Sequence, residues 1–227
     1  RGASGARAVL QLTGEAATAA WHRKGDYLVT VAPLAGAAAV LIHQVSKRQS
    51  QAPFKKAHGQ VQVARFHPSK PFLFVATQTA VRVYHLVKQA LVKKVLTGCK
   101  WISAMDVHPT GDHVLVGSYD RRVVWCDLDL SSKPYKTLKY HARAVRGAAY
   151  HPRYPLMASA ADDGRVHVFH AAVYSDLLRE PLIVPLKILR GHAVAGGLGV
   201  LAVAWHPRQP WLFSAGADGT VRLFQDV

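Results

Sequence analysis

Five repeats along this chain each open with an aromatic or aliphatic residue followed by His, and in four of them the His is followed by Pro. The copies are Trp21-His22, Phe66-His67-Pro68, Val107-His108-Pro109, Tyr150-His151-Pro152 and Trp205-His206-Pro207. The histidines stand 45, 41, 43 and 55 residues apart. A repeat of about 40–45 residues made of several short strands is the signature of a β-propeller blade. Such a scaffold binds partners on its surfaces and rims. Five histidines spread over five blades cannot converge on one metal ion, so no metal and no cofactor are expected.

Each anchor opens the same series of elements. A turn follows (Arg23–Asp26, Ser69-Lys70, Thr110–Asp112, Arg153-Tyr154, Arg208-Gln209), then an apolar strand (Tyr27–Val31, Pro71–Ala76, His113–Gly117, Pro155–Ala160, Pro210–Ala215). A tight turn and a third strand come next, at Ala39–His43, Val81–Tyr84, Val123–Cys126, Val166–Phe169 and Val221–Phe224. Asp163-Gly164 and Asp218-Gly219 are hairpin turns in which Gly takes a positive φ without steric cost. Fourth strands are expected at Leu91–Leu96, Tyr135–Leu138 and Leu186–Leu189. The reading is an all-β chain, one propeller domain over residues 1–227. Its blades lie near 18–57, 61–98, 101–139, 144–190 and 200–227, and residues 8–12 form the closing strand of a preceding blade.

Two further histidines, His141 and His192, precede the first strands of the last two blades. Each is placed to reach the Asp of its blade's tight turn, with a second-strand Ser between. The expected groups are His141–Ser159–Asp163 and His192–Ser214–Asp218. A His–Ser–Asp set invites a hydrolase reading, but this one repeats and its members fall inside blades. No nucleophile elbow, phosphate-binding loop or metalloprotease helix motif accompanies it. The expectation is a structural network and no enzyme.

Charge is the other constraint. Lys and Arg number 29 against 13 acidic residues, a formal +16. Such an excess favours polyanions: RNA, DNA or an acidic protein face. Candidate contacts are Lys47 and Arg48, Lys55 and Lys56, Arg121 and Arg122, and Arg143 and Arg146. Arg121 and Arg122 stand where a tight turn ordinarily carries Gly and Thr. Trp211, Tyr154 and Phe72, after the anchor turns, are candidate interface aromatics. Cys99 and Cys126 offer neither a disulfide framework nor a metal cluster, which fits a reducing compartment. No apolar run is long enough to span a membrane as a helix.

Longer segments between the anchors are more specific than the strand pattern. They include Pro71–Gln78, Lys100–Ser103, Ser118–Asp120, Val124–Tyr135, Val173–Leu178, Pro181–Pro185 and Gly216–Phe224. In these the chain resembles the C-terminal WD-repeat propeller of the block-of-proliferation family of eukaryotic ribosome biogenesis factors, called Erb in yeast. The resemblance implies the last five blades of a seven-bladed ring. It implies a non-enzymatic scaffold in a nucleolar trimeric complex, needed for large-subunit assembly and processing of precursor rRNA. The implied partners are a second WD-repeat protein, a pescadillo-type protein held mainly through an upstream region, and the precursor large-subunit rRNA in its particle. The implied location is nucleolus and nucleoplasm. A generic WD-repeat adaptor for ubiquitination or chromatin recognition is the competing reading. Departures from the pattern include Gln78 in place of a turn Asp and Cys126 in place of an aromatic.

Overall fold

The computed structural model describes residues 9–54, 58–174 and 180–227. They form a five-bladed, all-β propeller arc. The first blade contains β1 (Thr18–Trp21), β2 (Tyr27–Val31), β3 (Val40–Gln44) and β4 (Gln49–Gln51). The second contains β5 (Val63–Phe66), β6 (Phe72–Ala76), β7 (Ala80–His85) and β8 (Ala90–Leu96). The third contains β9 (Ile102–Val107), β10 (His113–Ser118), β11 (Val123–Asp127) and β12 (Lys136–Leu138). The fourth contains β13 (Val145–Tyr150), β14 (Leu156–Ala161), β15 (Arg165–Ala172) and β16 (Leu182–Arg190). The fifth contains β17 (Val200–Trp205), β18 (Leu212–Gly216) and β19 (Val221–Phe224). Within each blade the strands pair antiparallel in chain order. Residues 9–12 form no strand, so the closing strand expected over 8–12 is absent from the described part of that segment.

Successive side chains of a strand point to opposite faces of its sheet, and here both faces are covered. Leu73 and Val75 pack with Val29, Val31 and Ile42 of the first blade, while Phe74 between them packs with Met105 and Val114 of the third. Leu115 joins Tyr150, Met157 and Phe169, and Ala158 and Val168 join Val200 and Leu212. The result is four cores, each lying between two neighbouring blades. Phe169, which fits no simple inside–outside alternation, belongs to the core between the third and fourth blades.

The anchors form a second seam between blades. In each of the five, the His Nδ1 accepts backbone N–H groups of the turn that follows. His67 takes those of Ser69 and Lys70 at 3.0 and 2.9 Å, and His151 those of Arg153 and Tyr154 at 3.0 and 2.9 Å. His206 takes those of Arg208 and Gln209, and His108 and His22 bond Thr110 and Lys24. The ring edge then meets the anchor aromatic of the next blade. His22 contacts Phe66, His108 contacts Tyr150 and His151 contacts Trp205, with centroids 5.1, 5.0 and 5.3 Å apart. The third blade has Val107 in place of an aromatic, and there the His67 ring covers Gly111, leaving no room for a Cβ.

Lysines stitch the outer strands. Lys93 on β8 bonds the carbonyl of Leu128, Lys136 on β12 bonds that of Ile183 at 3.1 Å, and Lys187 on β16 bonds that of Asp226 at 2.8 Å. Each tie crosses to the next blade. The two ends of the arc differ from its middle. Trp21 on the first blade is 60% exposed and Val221 on the fifth 71%. Among the described residues no substantial contact joins the fifth blade to the first.

Candidate functional site

The His–Ser–Asp groups are assembled inside the last two blades. His141 reaches Ser159 Oγ through Nε2 at 2.9 Å and Asp163 through Nδ1 at 3.1 Å. His192 reaches Ser214 at 2.7 Å and Asp218 at 3.1 Å in the same way. The carboxylates are satisfied further by the backbone N–H groups of Ala142 and Arg165, and of Ala193 and Thr220. Burial alone would raise the Asp163 pKa. The His141 bond and the two amides outweigh it and hold Asp163 at about 2. These distances resemble those of a catalytic triad, but Ser159 is fully buried and Ser214 nearly so. No substrate carbonyl can approach either hydroxyl, so the groups hold the loop before each first strand against the tight turn.

The third blade keeps the turn carboxylate, Asp120, bonded to Ser118, Arg122 and the Lys100 amide, but fills the place of the His–Ser pair with apolar groups. Aligned on the strand register, Cys99 stands at the place of His192 and Val116 at that of Ser214. Both belong, with Cys126, to the apolar core between the second and third blades. Burial pushes the Cys126 thiol up to about 12, and it raises Cys99 as well, so neither is a nucleophile. Replacing both partners of a buried polar pair with apolar groups is nearly neutral. The sequence signal for this substitution is the Gly98-Cys99 step in the position of Gly191-His192.

The basic candidates separate into bound and free cations. Arg122 pairs with Asp120 at 3.0 Å and donates to the Gly98 carbonyl. Arg146 pairs with Asp162 at 2.8 Å and lies over the Tyr119 ring, 4.8 Å from its centroid. Both are occupied within the fold. Among the described residues Arg121, Arg143, Lys47 and Arg48 have no ion-pair partner and are exposed. Lys55 and Lys56 lie outside the described residues. Lys47 and Arg48 occupy the β3–β4 turn. Arg121 occupies a second-to-third-strand turn, and Arg143 the link before a first strand. Antiparallel order therefore puts Lys47 and Arg48 on one rim and Arg121 and Arg143 on the other, so the eight do not form one patch.

Arg121 stands apart. It adopts φ 68° in the turn where the fourth and fifth blades place Gly164 and Gly219, each at φ 75°. A left-handed conformation costs an L-residue roughly 1–2 kcal/mol relative to the right-handed one, so an arginine is kept where glycine is more stable. Its rim also carries the aromatics Trp101, Tyr119 and Tyr140, which are exposed. Of the three aromatics singled out from sequence, Tyr154 is exposed while Phe72 and Trp211 are partly buried. A rim of free guanidinium groups and exposed rings can bind phosphates or carboxylates and stack on planar groups.

The chain is similar to known proteins. The description "WD domain, G-beta repeat" matches residues 91–127, 132–170 and 183–225. The chain is 65% identical over 210 residues to ribosome biogenesis protein ERB1 of Malassezia globosa, covering 90% of the chain and 24% of that protein. It is 58% identical over 204 residues to ribosome biogenesis protein BOP1 of Rattus norvegicus, covering 90% of the chain and 28% of the relative. The human BOP1 shows the same 58% over 204 residues, with 27% of its length covered. The chain thus spans about a quarter of the length of the curated relatives it matches.

Proposed function

Since the chain belongs to the WD40 repeat family and, within it, to the block-of-proliferation group of ribosome biogenesis proteins, we propose that it is part of a non-enzymatic scaffold for assembly of the large ribosomal subunit. The observation that carries this reading is the likeness over nine-tenths of the chain to proteins named for ribosome biogenesis. The scaffold works in a nucleolar trimeric complex with a second WD-repeat protein and a pescadillo-type protein. The whole complex acts on particles containing precursor large-subunit rRNA, in the nucleolus and nucleoplasm.

The five blades belong to a seven-bladed ring. Support comes from the apolar side chains left uncovered at the two ends of the arc. They are Trp21 on one face, and Leu201, Phe213, Val221 and Leu223 on the other. Faces of that character are buried between all inner blades, and closed rings in this architecture use four to eight blades.

The free cations Arg121 and Arg143 meet rRNA phosphates or an acidic face of a partner, and Lys47 and Arg48 do so on the opposite rim. Such contacts position the particle without reading sequence and weaken with salt. Affinity purification of the tagged full-length protein tests the reading. Recovery of a second WD-repeat protein together with precursor large-subunit rRNA supports it. Recovery of a ubiquitin-ligase scaffold without rRNA contradicts it.

A further inference from the structure

The position facing the second-strand serine across β14 and β15 is filled differently in successive blades. Arg82 faces Val75, Val124 faces Val116, His167 faces Ser159 and Arg222 faces Ser214. In the fourth blade this brings a second imidazole against the His–Ser–Asp group. The rings of His167 and His141 meet edge-on, with centroids 4.4 Å apart. His167 is 3% exposed, and its Nε2 is buried without a hydrogen-bond partner. One donor atom each from His141, Asp163 and His167 lie within 4.8 Å of one another. A buried polar atom without a partner is uncommon and calls for a ligand or a stated function.

We propose that His141, Asp163 and His167 form a binding site for one first-row transition-metal ion of the Zn²⁺ class. Two imidazoles and a carboxylate suit such an ion, whereas Mg²⁺ and Ca²⁺ take oxygen ligands. Zn²⁺ holds nitrogen and oxygen donors at about 2.0–2.2 Å, which puts tetrahedral donors roughly 3.3 Å apart. His141 Nδ1 and Asp163 are already 3.1 Å apart, and the His167 donor, within 4.8 Å of both, moves inward to complete the set. His141 takes the tautomer that carries its proton on Nε2 and donates it to Ser159, leaving Nδ1 to the ion. No proton is released from the neutral ring, and water fills the fourth position. The fifth blade is the internal control. It has the same His192–Ser214–Asp218 group, with the cation of Arg222 in the place of His167. The site is independent of the scaffold reading above.

Co²⁺ titration of the chelator-stripped full-length protein is the test, because its visible bands report tetrahedral nitrogen and oxygen ligation. The proposal expects one equivalent displaced by Zn²⁺ in the wild type and absent in His167→Arg, which imports the fifth blade's residue. Circular dichroism and melting establish that the variant is folded. Should the arginine not be tolerated, His167→Gln removes the ligand without adding charge. Equal metal equivalents and identical bands in the wild type and the folded variant overturn the proposal.

Discussion

His151 meets the indole of Trp205 at 5.3 Å across the boundary between the fourth and fifth blades. The same ring accepts two turn amides at Nδ1 and donates from Nε2 to the Gln209 carbonyl at 2.9 Å. One side chain therefore closes its own turn and grips the next. Its residue is 1% exposed. The repeated anchor is thus a device for joining blades, and its histidines are consumed by architecture.

His151→Ala removes three part-buried hydrogen bonds and the ring packed against Trp205. The expected loss is about 3 kcal/mol. His206→Ala, whose ring bonds only its own turn and Trp211, is expected to lose about 1 kcal/mol. Denaturant unfolding of the two variants checks the order.

The third blade's apolar solution predicts non-additivity in the fourth. His141→Cys alone leaves Ser159 buried without its partner and costs about 2–3 kcal/mol. Adding Ser159→Val, which copies Val116, is expected to recover about 1 kcal/mol of that loss. A double-mutant cycle by thermal melting measures the coupling.

Asp163 has its pKa lowered from 3.8 to about 2 in the fold. The folded state therefore binds this proton less readily than the unfolded chain. The stability it contributes is fully present above about pH 4 and is lost as pH falls toward 2. Asp163→Asn is expected to flatten the acid limb of the stability profile over that window. Unfolding midpoints from pH 5 down to 2, wild type against variant, read the difference.

The basic residues divide by what they do. Lys136→Met breaks a tie to β16 and is expected to cost about 1 kcal/mol, with no change in the salt dependence of RNA binding. Arg121→Gly is expected to do the reverse. It relieves the left-handed turn, stabilising by about 1 kcal/mol, and lowers the salt slope by about one phosphate contact. Melting and filter binding across a salt series separate the two.

What could be read from the residues follows from where the physics is local. Turn glycines, anchor histidines and apolar alternation act within a few positions, and the second and third strands they delimit are where the register places them. Outer strands were harder. β4 is the polar Gln49–Gln51, with no apolar signal to mark it, and β16 starts at Leu182 and tolerates Pro185 at an edge bulge. A proline there costs no ladder bond. The lysine ties cross blades, and no local pattern announces them, while Arg122 and Arg146 pair inside their own blades with Asp120 and Asp162. A single charge total therefore conflated structural cations with free ones. By composition Cys99 fits only a reducing compartment, while its position in the repeat marks it as a substitute for a buried histidine.

Sedimentation of the full-length protein through a gradient, with the RNA of each fraction identified, tests the central claim most directly. The account predicts that it travels with particles containing precursor large-subunit rRNA, and that its depletion stalls processing of that precursor. Migration as free protein, with precursor processing unchanged on depletion, would contradict it.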